Sequence, residues 1–198
     1  MLYGYNKQIR KEVISSPGRY NFLLLENMEK EIFLKIYGGQ ELALLITVLL
    51  TILTDQLSKF LIQRAMELGQ SIPVIDNIFH ITYILNPGAA FGILANRTVF
   101  FIIATVLVVL GVIIFYFRSG QKKGMLPVAL GLLLGGAAGN LIDRLRYAKV
   151  VDFIDFRVWP VFNLADTAIV CGAGLLVLIL WFSEKEKSRD RVDSDANG

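Results

Sequence analysis

The chain has 198 residues, 55% of them apolar with Gly left out, and a net charge of +3. Four stretches, Leu42–Ile62, Thr98–Phe117, Met125–Ile142 and Val158–Phe182, hold 84 residues but only three charges: Asp55, Lys59 and Asp166. That segregation excludes a disordered chain and speaks against a soluble globule. The single Cys171 excludes a disulfide scaffold, and a small, dispersed net charge speaks against a nucleic-acid binder.

Residues 1–41 are polar and charged, with no cleavable apolar core. They read as a cytoplasmic N-terminal extension, with Met28 as an alternative start. A 42–182 membrane domain follows. A spanning helix needs about 20 apolar residues, which predicts spans near 42–62, 98–117, 125–142 and 160–182. With four spans both termini share a side. That side carries 13 Lys and Arg against 7 on the other, which makes both termini cytoplasmic and the loops 63–97 and 144–157 external. Residues 183–198 form a charged cytoplasmic tail expected to fray.

The 63–97 loop is not featureless. Phe79, Ile81, Tyr83 and Leu85 alternate with His80, Thr82 and Ile84, which predicts a strand. Ile72–Ile75 is a second candidate, interrupted by Pro73, and Asn86-Pro87-Gly88 is a turn signal. The expected fold class is therefore all-α integral membrane, with four transmembrane helices and a small extracytoplasmic β-sheet.

An ionisable residue inside a span is costly and calls for a reason. Asp55 and Lys59, spaced i, i+4 with the acid first, suit a helical ion pair that fixes the first helix. Asp143 closes the third span one turn after Asn140. Asp166 opens the fourth one turn after Asn163. The two segments are adjacent in sequence and antiparallel, so both acids fall at the outer rim. Two poorly hydrated carboxylates there would share a proton, one activating water and the other protonating the substrate. Spacing alone leaves a second reading open: a helix N-cap at Asp166 and a surface pair of Asp143 with Arg144 or Arg146. Asp152 and Asp155, spaced i, i+3, read as a solvated face of an amphipathic outer segment or as a support to the site. His80 is the only histidine, which speaks against a His-based triad or a multi-His metal centre. Cys171, mid-span without a histidine partner, reads as core packing.

Five segments carry a family resemblance. Asp55-Gln56-Leu57-Ser58-Lys59, Asn86 through Gly92, Gly135 through Arg144, Val150 through Phe156 and Phe162 through Thr167 occur in an order that resembles the bacterial lipoprotein signal peptidases, signal peptidase II. The resemblance implies a membrane aspartic peptidase without metal or cofactor, with Asp143 and Asp166 as its catalytic pair. It implies a diacylglyceryl-modified prolipoprotein as substrate, cut just before the lipidated cysteine in the inner membrane. Asn86, Gly88, Asn140, Arg144 and Asn163 match positions around site and substrate, while Asp55 and Lys59 match structural ones. Residues 144–157 resemble the family's outer loop or short helix. The expected partners are that substrate and membrane lipid, and one chain suffices for the site. The long N-terminal extension and Thr167, where Ser is commoner, depart from the family pattern. Two other readings remain: an ion or proton relay through Asp55, Asp143 and Asp166, and a non-catalytic scaffold.

Overall fold

The computed structural model describes residues 38–88, 97–118 and 124–196. The extension read at 1–41 lies outside the described residues as far as residue 37, as does the Ala89–Gly92 part of the second motif.

In chain order the elements are α1 (Gly39–Ala65), β1 (Ser71–Ile75), β2 (Phe79–Asn86), α2 (Thr98–Arg118), α3 (Leu126–Tyr147), β3 (Val150–Asp155) and α4 (Leu164–Ala196). Among the described residues, four helices are long and apolar enough to cross a membrane, α4 over Leu164–Lys185. The chain is thus a multi-pass helical membrane protein with a three-stranded sheet. The apolar window of α3 is 61% buried and that of α2 is 0% buried, so α3 is the central helix and α2 faces outward.

Two helix limits differ from hydropathy in ways that matter. α3 continues past Ile142 to Tyr147, so Asp143 and Arg144 sit within a helix. α4 starts at Leu164, so Val158–Asn163, apolar enough to be merged with the fourth span, is a loop. The charged tail continues the helix to Ala196.

α3 packs against α1 through a ladder one helical turn apart. A methyl group added at Gly131 would lie 2.6 Å from Thr47 Cβ, one at Gly135 2.6 Å from Thr51 Cβ, and one at Gly139 2.5 Å from Asp55 Oδ2. Small residues allow this approach, since lipid supplies no hydrophobic drive between helices. On the other side of α3, Gly136 leaves no room for a Cβ against the Ala165 carbonyl, and Gly172 of α4 lies against the Ala129 carbonyl.

The sheet has order β1-β2-β3, antiparallel throughout. Ser71 faces Thr82 across β1–β2, and His80 faces Asp155 across β2–β3. The tight β1–β2 turn places Asn77 at φ 59°, a left-handed conformation that Asn tolerates. Met66, Tyr83 and Val151 form the core under the sheet, with Ile62, Ile81 and Leu85 packed around them. β3 corrects the reading of 144–157 as a loop or short helix with a solvated acidic face. Both of its faces are largely buried, so the sequence lacks the period-two signal of a half-exposed strand.

Candidate active site

Two polar clusters meet where α1, α3, β3 and the start of α4 converge. The deeper one is built around Lys59. Its ammonium lies 2.9 Å from Asp55 Oδ2 and 3.0 Å from Asp143 Oδ2, and donates to Asn140 Oδ1 at 3.1 Å. All four side chains are buried. Asp55 also accepts from the Ala165 backbone N–H at 3.0 Å, tying α1 to α4. Asp143 accepts from Gln56 Nε2 at 3.0 Å and from the Val151 N–H at 3.1 Å. The i, i+4 pairing of Asp55 with Lys59 follows the sequence expectation. Asp143 does not pair with Arg144 or Arg146; its counter-ion is Lys59, from another helix.

The second cluster faces a cavity of about 250 Å³ lined by Asn86, Asn140, Arg144, Asp152, Trp159 and Asp166, among others. Asp152 is 2% exposed. It accepts from Asn163 Nδ2 at 2.7 Å on Oδ1 and from Asn86 Nδ2 at 2.9 Å on Oδ2. Asp166 accepts from Asn140 Nδ2 at 2.7 Å on Oδ1. Its Oδ2 accepts from the Asn163 backbone N–H at 3.3 Å, while Asn163 Oδ1 accepts from the Asp166 N–H at 2.9 Å. Asn163 is therefore the N-cap of α4 and Asp166 its reciprocal partner, a capping box with Asn and Asp in the two roles. The cap expected at Asp166 belongs to Asn163, three residues earlier.

Each carboxylate of the cavity is thus held by two donors. Burial pushes the Asp152 carboxyl up to about 7, helped by the negative charge of Asp166 and only partly offset by the bonds from Asn86 and Asn163. Asp155, at the end of β3, behaves differently. Burial would raise it too, but bonds from Thr82 and Arg157 and the Arg157 charge outweigh this and hold it below the ordinary value.

Asn86, Gly88 and Arg144 also line the cavity. Asn86 Oδ1 accepts from the Gly88 N–H at 3.0 Å, an Asx turn that presents both residues to the cavity. The Arg144 guanidinium stacks 5.1 Å above the Phe101 ring of α2. Of the two acids expected to form a pair, Asp166 lines the cavity and Asp143 does not. Asp152 takes its place beside Asp166. The signal for it was present, an acid in an apolar outer segment, but helical i, i+3 counting grouped it with Asp155. In a strand, the two residues fall on opposite faces.

The model of the family described as Signal peptidase (SPase) II matches residues 47–182. The chain belongs to the signal peptidase II family. A lipoprotein signal peptidase of Halothermothrix orenii is 51% identical over 140 residues, spanning 71% of this chain and 96% of that relative. One of Bacillus subtilis is 44% identical over 147 residues, covering 72% and 96%. A solved bacterial membrane enzyme structure superposes with a TM-score of 0.68 at 34% identity, over 73% of this chain and 90% of that one. Membership makes this signal peptidase II relative a membrane peptidase. The matched segment contains both polar clusters and the whole cavity lining, and leaves out the N-terminal extension.

Proposed function

We propose that the chain removes signal peptides from diacylglyceryl-modified prolipoproteins, cutting before the lipidated cysteine, with Asp152 and Asp166 as the catalytic pair. The observation that carries this reading is the joint presence of those two carboxylates in one cavity, each fixed by two donors. Asp143 becomes a positioning residue: its bond from the Val151 N–H sets the strand that carries Asp152.

In the proposed reaction Asp152 keeps its proton and Asp166 is ionised. Asp166 takes a proton from water, the resulting hydroxide attacks the scissile carbonyl carbon, and Asp152 gives its proton to the carbonyl oxygen. Collapse of the tetrahedral intermediate returns one hydroxyl proton to Asp152 and breaks the C–N bond as the proton on Asp166 passes to the leaving nitrogen of the cysteine, which restores both acids to their starting state. Asn140 and Asn163 hold the two acids at fixed orientation through this exchange. Neither metal nor cofactor enters the scheme.

The Lys and Arg asymmetry of 13 to 7 supports an orientation with both termini cytoplasmic and the sheet outside the inner membrane. A lipidated cysteine held in the outer leaflet then meets the cavity at its own depth. Both acids and the groups that hold them come from one chain, and we read the working unit as a monomer.

The test is a gel-shift assay of a diacylglyceryl-modified prolipoprotein with the purified full chain, with and without chelator. Asp152→Asn and Asp166→Asn should abolish cleavage, and chelator should leave it unchanged. Asp143→Asn should retain measurable turnover in whatever fraction folds. Near-normal turnover by Asp152→Asn or Asp166→Asn would refute the pair.

A further inference from the structure

We propose that Asp155 is a positioning residue for the substrate, clamping Arg157 so that the segment Trp159–Phe162 stands as one wall of the cavity. The inference rests on the reading of that cavity as the substrate site.

Residues 155–161 make an excursion closed at its base by backbone bonds. Phe153 and Ile154 both donate to the Phe162 carbonyl, at 2.9 and 2.8 Å, and Phe162 donates back to Ile154 at 3.0 Å. Phe156 fills the base, its ring 5.2 Å from Phe79 and 5.9 Å from Phe162. Beyond it the chain turns within three residues: the Val158 N–H donates to the Phe156 carbonyl at 2.7 Å, with Arg157 between them at φ 63°. A branched-free but full-sized side chain gains nothing from that left-handed conformation, and such a residue persists only where its surroundings fix it.

Asp155 supplies that fixing. Its Oδ1 accepts from the Arg157 backbone N–H at 2.8 Å, an Asx turn, and its Oδ2 accepts from the Arg157 guanidinium at 3.0 Å. The carboxylate is in turn anchored to the sheet. Thr82 Oγ1 donates to Oδ2 at 2.7 Å, and Ser71 Oγ bonds both Thr82 Oγ1 at 2.8 Å and His80 Nδ1 at 3.1 Å. The line of bonds crosses all three strands and ends on the turn. Directly after the turn, Trp159, Pro160, Val161 and Phe162 line the cavity, while Asp155 and Arg157 do not. Asp155 therefore shapes the wall without touching what the wall holds.

A wall held in the wrong place weakens binding, whereas a merely destabilised protein loses active molecules. The two separate in steady-state kinetics, because a smaller folded fraction lowers apparent kcat and leaves KM alone. With the full chain in detergent micelles and a diacylglyceryl-modified prolipoprotein, Asp155→Ala should raise KM about tenfold with kcat within about twofold. Asp155→Asn, which keeps an Asx-turn acceptor, should recover most of the loss. Arg157→Gly keeps the N–H and favours positive φ, so its KM should stay near wild type. Arg157→Pro loses the N–H and locks φ near −65°, so it should match Asp155→Ala. An unchanged KM in either Asp155→Ala or Arg157→Pro overturns the proposal, whatever happens to kcat. The catalytic pair is judged separately, on whether Asp152→Asn and Asp166→Asn lose kcat.

Discussion

The side-chain amide of Asn163 donates to Asp152 at 2.7 Å while its oxygen caps the backbone N–H of Asp166 at 2.9 Å. One residue therefore starts α4 and aligns both acids of the cavity. Asn163→Ala should cost about 1 kcal/mol of stability through the lost cap. Its effect on turnover should be larger, a loss of roughly a hundredfold, because the two acids lose their common reference. The bond from Asn163 favours the ionised form of Asp152. Removing it moves the basic limb of the pH–rate profile upward, which a rate series from pH 5 to 9 measures.

The wild-type profile follows from the same group. If Asp152, pushed up to about 7, acts as the proposed acid, kcat should fall as pH rises through neutrality. The stability consequence has a definite sign. The folded state holds this proton more tightly than the unfolded chain, whose carboxyl has the ordinary value of 3.8. The contribution of Asp152 is therefore complete below the unfolded value and is lost as pH rises toward 7. The melting temperature of wild type should fall relative to that of Asp152→Asn as pH rises from about 4 to 7, so the two curves diverge across that window, and parallel curves would contradict it.

Lys59 is the shared counter-ion of two buried carboxylates. Lys59→Met leaves Asp55 and Asp143 buried without a counter-ion. Removing one partner of a buried pair costs about 3–5 kcal/mol. The variant should be poorly recovered in detergent and melt well below wild type, and Lys59→Arg should not rescue it, since Asp55, Asp143 and Asn140 surround the ammonium within 3.1 Å.

Glycines along the helices divide sharply. Gly139→Ala drives a methyl group to 2.5 Å from Asp55 Oδ2, and Gly135→Ala drives one to 2.6 Å from Thr51. Both should separate α1 from α3 and lower stability by about 1–3 kcal/mol or more. Gly111 and Gly174 have open space around the added atom. Alanine at either should be neutral or should stabilise by up to about 1 kcal/mol through helix propensity. Thermal unfolding of the four variants orders them.

The spans and β2 were legible because each carries one uninterrupted pattern: uncharged runs for the helices, and Phe79–Leu85 alternating with period two. The i, i+4 pair of Asp55 and Lys59 was legible for the same reason. β3 was hidden because residues on both of its faces are largely buried, so Val150–Phe156 shows no alternation. That hid the placement of Asp152 as well. Asn140-x-x-Asp143 and Asn163-x-x-Asp166 share one spacing and so looked like equivalent halves of a site. They separate only in three dimensions, where Lys59 reaches Asp143 from α1 and leaves Asp166 to the cavity. No local pattern around Asp143 announces a counter-ion 84 positions earlier in the chain.

The glycine ladder between α1 and α3 has a consequence for how the bundle assembles. Its rungs repeat every turn, so a slip of one helical step would still leave two of the three rungs opposite a glycine. Only the last rung is marked, because Asp55 and Lys59 find Asp143 and Asn140 in a single alignment. The buried ions thus act as a key that selects one vernier setting among look-alikes, inside a solvent that would punish every other.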